Sequence, residues 1–176
     1  MAEPGFDPHR LDVAAFARAG AQLQGQWPLA QFARLLVDAA APTPGAAAVA
    51  WAARGEQRPV PGHPPQVWLQ LQARAELVLA CQRCLQPLPV PLAVDRALRF
   101  VEGEAEAERL DADSDDDVLA LDQALDLQAL IEDELILALP LVPRHAACEL
   151  PAPAGDAPPE HPFAALQALR RRPQQP

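Results

Sequence analysis

A chain of 176 residues with half its residues apolar is long enough to bury a sizeable core in one domain. A formal net charge of −10, with all fourteen basic residues arginine, makes the chain a poor nonspecific nucleic-acid binder, because phosphate contacts need clustered positive charge. Three cysteines are too few and too odd in number for a secreted disulfide framework. With no basic, apolar leader in "MAEPGFDPHR", a reducing cytoplasm is the expected compartment. No apolar run approaches the ~18 residues of a membrane span.

Residues 12 to 19 read as a short helix. "AQLQGQW", 21 to 27, alternates apolar and glutamine positions and predicts a strand. Pro28 suits the first position of a helix over "PLAQFARLLVDAA", with Leu29, Phe32, Leu35 and Leu36 on one face. "APTPG", 41 to 45, breaks the chain, and "AAAVAWAAR", 46 to 54, reads as a second strand. "GEQRPVPGHPP" reads as a loop.

"VWLQLQARAELVL", from Val67, is the clearest strand, apolar on one side and polar on the other. Such a sheet has one wet face and is usually antiparallel. Residues 88 to 101 predict its partner strand. Pro87, Pro89 and Pro91 strip donors from one edge only, so that edge is unpaired or covered otherwise. The expected fold class is α+β, with a mostly antiparallel sheet, open or barrel-like. A long hairpin carries C-x-x-C near its tip, and two or three helices pack on the sheet.

"EGEAEAERLDADSDDD", 102 to 117, holds nine carboxylates and one Arg and reads as a mobile solvated loop. Asp115, Asp116 and Asp117 at its end are candidates for docking a basic protein. "VLAL" at 118 to 121 suits a short strand. A helix then opens near Asp122 or Asp126, with Leu127, Leu130, Ile131, Leu135 and Ala138 as its buried stripe, and Pro140 ends it. Glu132, Asp133 and Glu134 are consecutive, so their side chains diverge around the helix and a solvated face suits them better than a catalytic pair. The chain divides into a domain over 1–148, a proline-rich linker over 149–162, and a short amphipathic helix with a basic tail over 163–176. Arg170, Arg171 and Arg172 form the only basic cluster and are candidate RNA contacts.

Cys81 and Cys84 form C-x-x-C, and His145 and Cys148 form H-x-x-C. Three sulfurs and one imidazole suit a tetrahedral structural Zn²⁺, with the hairpin tip stapled to the segment after the helix. Two other readings stand beside it: reduced, partly buried cysteines without metal, and a redox dithiol. The dithiol is disfavoured, because "LQPLPVP" cannot readily open the helix that follows a thioredoxin-type pair. Neither a phosphate-binding glycine loop nor a nucleophile elbow is present.

"CQRCLQPLPVPL", "DLQALIEDELILALPLVPRHAAC" and "PFAALQALRRR", in that order, resemble the YceD family of large ribosomal RNA subunit accumulation proteins. Cys81, Cys84, Glu132, Asp133, Glu134, Pro140, Pro143, His145 and Cys148 match positions of the family pattern. The resemblance implies a non-enzymatic role in synthesis, processing or stability of 23S rRNA. It also implies association with a pre-50S intermediate in the cytoplasm, without membrane or DNA. Charge then points to a basic ribosomal protein as direct partner, reached through residues 102–117 or Glu132, Asp133 and Glu134, with rRNA contact indirect or weak. The rival readings are an RNA-processing hydrolase and a zinc- or redox-responsive binding protein.

Overall fold

The computed structural model describes residues 5–40, 47–121 and 123–150. Helix α1, Val13–Ala19, is capped by Asp12, whose carboxylate accepts from the Ala15 N–H, and it ends at Gly20 in the left-handed region. Strand β1, Gln22–Pro28, pairs antiparallel with β2, Ala48–Val60. Strand β2 pairs with β3, His63–Ala80, and β3 with β4, Pro87–Val101. Strand β5, Asp117–Ala120, runs parallel to Leu98–Val101 of β4. The five strands lie in sequence order in one open sheet. Its edge strands do not meet, so the barrel-like alternative is not realised.

One face of the sheet holds the core. Val49, Trp51 and Ala53 of β2, Leu69, Leu71, Ala73, Leu77 and Leu79 of β3, and Leu92, Val94, Leu98 and Phe100 of β4 are all buried there. The period-two pattern of the sequence is the cause. Helix α1 lies so close to this face that a Cβ on Gly55 would sit 2.7 Å from the Ala17 and Phe16 backbone. Helix α3, Leu127–Leu137, covers the same face with Leu127, Ile131 and Leu135. The carboxylate of its N-cap, Asp126, accepts from the N–H groups of Gln128 and Ala129.

Three segments differ from expectation, each for a visible reason. Residues 29–38 form two short 3₁₀ turns, Leu29–Gln31 and Leu35–Asp38, instead of one helix. Leu29, Phe32 and Leu35 are buried as the helical reading expected. However, the N–H groups of Arg34 and Leu35 donate to Glu132 Oε1 at 2.7 and 3.2 Å, so they are unavailable to a regular helix. Residues 55–65 are not a loop. Strands β2 and β3 continue through them to a two-residue turn, Pro61–Gly62, where Gly62 takes φ +77°, and Pro59 sits where the register shifts. The acidic segment is not a loop either. Glu104–Asp113 forms helix α2, rich in Ala and Glu, with Arg109 bridging Glu106 and Asp113 along its surface. Helix α2 packs on the sheet face opposite the core, over buried Val118.

Glu132 corrects the sequence reading most sharply. It was expected on a solvated helix face, yet it is 8% exposed, the one charged residue in the described core. Its Oε2 accepts from Arg34 Nε at 2.9 Å, and Asp133 accepts from the same guanidinium. Asp133 and Glu132 together hold the Arg34 guanidinium above its ordinary pKa, the bond to Glu132 contributing most. Truncating Glu132 strands the buried Leu35 N–H and leaves Arg34 without its main partner. We therefore expect Glu132→Ala to cost about 2–3 kcal/mol and Asp133→Ala less than about 1 kcal/mol. Urea midpoints at constant m-value measure both, and equal effects would contradict the assignment.

Candidate metal centre

Strand β3 ends at Ala80, and the chain turns through Cys81–Gln86 before β4 begins. The Leu85 N–H donates to the Cys81 carbonyl at 2.9 Å and the Cys81 N–H donates to the Gln86 carbonyl at 3.0 Å, closing a tight knuckle. The knuckle forces Leu85 to φ +61°, the left-handed region that glycine ordinarily fills. After α3 the chain passes Pro140 and Pro143 without regular structure. It is held against the knuckle by the Gln82 N–H, which donates to the Pro143 carbonyl at 2.8 Å. That bond brings the H-x-x-C pair over the C-x-x-C pair.

The donor atoms of Cys81, Cys84, His145 and Cys148 all lie within 4.8 Å of one another. Cys84 Sγ is 3.3 Å from His145 Nδ1, and Cys81 Sγ is 3.9 Å from Cys148 Sγ. Zn–S bonds of about 2.3 Å at tetrahedral angles put sulfurs about 3.8 Å apart. A disulfide would need about 2.0 Å, and all three cysteines are free thiols. The donor set and its spacing therefore fit Zn²⁺. Cys81, Cys84, Cys148 and His145 Nδ1 would hold it, and the ion would supply a crosslink with no open coordination position. Cys81 and Cys84 are buried, while His145 and Cys148 are half-buried, so the site opens to one side.

The protein already favours a thiolate at Cys81. Burial pushes this thiol up, but the N–H groups of Cys84, His145 and Arg83 point at its sulfur and, with the Cys84 side chain, bring it from 9.0 down to about 5. The His145 N–H approaches Cys81 Sγ at 3.4 Å. Cys148 goes the other way. Burial first, then its bonds to Cys84 and Cys81 and their charge, raise it to about 11. One sulfur thus stands ready as an anion, while the last must lose its proton to a metal.

The other expected site residues are distributed differently. Glu134 Oε2 accepts from Arg96 Nε at 3.2 Å, and Asp117 lies 3.6 Å from the same arginine. With Glu132 and Asp133 on Arg34, four of the six proposed docking carboxylates are engaged within the chain. Asp115 and Asp116 form no ion pair among the described residues. Glu132 and Asp133 share the Arg34 guanidinium, while Glu134 turns to Arg96 on β4, so the three carboxylates do not converge on one point. Arg170, Arg171 and Arg172 fall outside the described residues. Sequence reasoning missed Arg34 as the partner of Glu132. It also missed that residues 81–94 and 135–148 contain no carboxylate in a chain that has 24. That gap was readable and marks the knuckle's surroundings.

A depressed thiol stabilises the fold in full above the ordinary value near 9 and loses that contribution as pH falls through about 5. In metal-free protein, thiolate absorbance should show one sulfur ionised at neutral pH, titrating near 5, and another near 11. Replacing Cys81 with Ser should abolish the acidic step. A Cys81 thiol that titrates near 9 would contradict the arrangement.

Among the described residues, no helix is long and apolar enough to cross a membrane. No solved structure matches the chain. The family model described as large ribosomal RNA subunit accumulation protein YceD matches residues 69–170, more than half of the chain. That stretch runs from the middle of β3 through the knuckle, the acidic helix, α3 and the H-x-x-C segment. The chain belongs to the YceD family.

Proposed function

We propose that this chain is a non-enzymatic adaptor in biogenesis of the large ribosomal subunit, acting in the cytoplasm and held in shape by a structural zinc ion. The observation that carries the reading is the family match, whose description names accumulation of large-subunit ribosomal RNA. The four-donor cluster supports it, because a closed Cys₃His set holds two chain segments together and leaves no position for a metal-bound water.

The direct partner on this reading is a basic ribosomal protein or a pre-large-subunit particle that displays one. Helix α2 and the turns on either side of it carry the accessible negative charge: Glu102, Glu104, Glu108, Asp115 and Asp116 are outside the ion pairs that stiffen the fold. A surface of this sign raises the encounter rate with cationic partners and loses that advantage in salt. Glu132, Asp133 and Glu134 serve the architecture on this reading. Arg170, Arg171 and Arg172 add phosphate contacts from the tail.

Affinity purification of the full tagged chain from growing bacteria should recover large-subunit proteins and 23S rRNA precursors. Glu104→Gln, Glu108→Gln, Asp115→Asn and Asp116→Asn together should lower that recovery at least about fivefold, with the melting temperature unchanged. Recovery of no ribosomal component, or hydrolysis of RNA by the purified chain alone, would overturn the proposal.

A further inference from the structure

Exposed apolar side chains are not scattered over this protein. Among the described residues, four of the six large ones, Leu85, Leu141, Val142 and Leu150, lie in the knuckle or in the segment that closes over it. Leu141 is fully exposed and Leu85 is 67% exposed. A cluster of this kind on a soluble face marks an interaction surface. Leu85 adds a second, independent observation. Its left-handed backbone is strained for any residue with a Cβ, and glycine would relieve it. The side chain does not repay the strain by packing inward, because it points to solvent.

The charge around this surface is unlike the rest of the chain. Arg83 lies in the knuckle and Arg144 beside His145; both are exposed, and neither forms an ion pair with a described residue. Three thiolates and a neutral imidazole on Zn²⁺ would leave one negative charge and Glu149, beside Cys148, adds a second; the two unpaired guanidiniums match them. The nearest carboxylates in sequence are Glu149, beside Cys148, and Glu76, before the end of β3; Asp95 closes the acid-free segment after the knuckle. Strand β4 starts at the knuckle, and the acidic helix returns to β5 opposite Leu98, so the strand keeps this surface about 35 Å from the acidic helix and the turn after it. A cationic ribosomal protein suits the far end; it does not suit this one.

We propose that the knuckle end is an RNA-contact surface for an unpaired strand of ribosomal RNA. Arg83 and Arg144 hold phosphates, while Leu85, Leu141 and Val142 form a platform for the faces of unstacked bases. Charge complementarity decides between RNA and protein: guanidiniums beside an apolar shelf match the phosphate and base of a single strand. The proposal rests on the large-subunit reading and gives it a second end. The acidic helix meets protein and the knuckle meets RNA, so one long hairpin spans the two. Two arginines make the contact weak by itself, in keeping with a net charge of −10.

The test is fluorescence anisotropy of a short, labelled, mixed-sequence single-stranded RNA with the full zinc-loaded chain at low salt. Melting temperature and zinc content are read for every variant. Arg83→Glu with Arg144→Glu should weaken binding at least about tenfold and lower the salt slope by about 1.4, two phosphate contacts at about 0.7 each. Leu141→Ser with Val142→Ser should weaken binding several-fold and leave the salt slope in place. Leu85→Gly should keep or raise the melting temperature and still weaken binding, which a purely structural leucine would not do. Folded variants that bind RNA as the wild type does, or a wild type that binds no RNA at low salt, would overturn the proposal. So would variants that lose a co-purifying protein while RNA binding stays intact. Wild-type chain that still purifies with large-subunit particles but has no RNA affinity sinks this surface alone. Chain that purifies with no such particle sinks the biogenesis reading instead.

Discussion

The far end of the β3–β4 hairpin is the part of this fold with the least to hold it. Strand β2 accompanies β3 only as far as Arg74, and β5 accompanies β4 only from Leu98 onward. Between them, residues 75 to 92 form a ribbon of two strands, and such ribbons are marginal in water without further packing. Two things secure it on the core side: apolar contacts with the 3₁₀ turns and α3, and the Ala40 N–H donating to the Val78 carbonyl at 2.8 Å. At the tip, four soft donors converge from segments about sixty residues apart, Cys84 and His145 being separated by 61. A metal there would tie the ribbon to the end of α3. The positions of Arg83, Leu85, Leu141 and Arg144 follow from the knuckle and from the Gln82–Pro143 hydrogen bond that holds the later segment against it.

Charge is divided along the same hairpin. The carboxylates fall into two groups with different work. Glu132, Asp133, Glu134 and Asp117 meet arginines from other elements and fix α3 and β5 against the 3₁₀ turns and β4. Those of helix α2 and the following turn mostly face solvent at the opposite end from the knuckle. The net charge therefore says little about any single surface. A protein can be strongly acidic and still present an apolar end with unpaired arginines, provided a long strand keeps the two about 35 Å apart, several Debye lengths at physiological salt. The three prolines at the start of β4 reinforce this polarity. No described strand pairs with that edge, and without donors it resists strand addition.

Much of this was legible in the sequence where one local pattern dominated. The alternation in 67–79 and 88–101 gave β3 and β4 because period two has a single interpretation when one face is buried. Asp126 marked the start of α3, and the cysteine and histidine spacings marked the donor set. The failures were failures of long-range information. Residues 29–38 carry a good helical stripe, but Glu132, some hundred residues away, takes the N–H groups a helix would use. Residues 55–65 looked broken by proline, yet Pro61–Gly62 is a hairpin turn that needs only one positive φ. The acidic segment looked too charged to order, but Glu and Ala are strong helix formers and Arg109 relieves the repulsion. The approach of His145 and Cys148 to the knuckle could be supposed from chemistry. Only the Gln82–Pro143 hydrogen bond in the fold makes it a fact of geometry.

Zinc K-edge X-ray absorption of full-length protein purified from cells, without added metal, probes the staple itself. The account predicts one zinc per chain, with three sulfur neighbours at about 2.3 Å and one nitrogen at about 2.0 Å. A chain that carries no zinc, or a first shell dominated by oxygen, would contradict it.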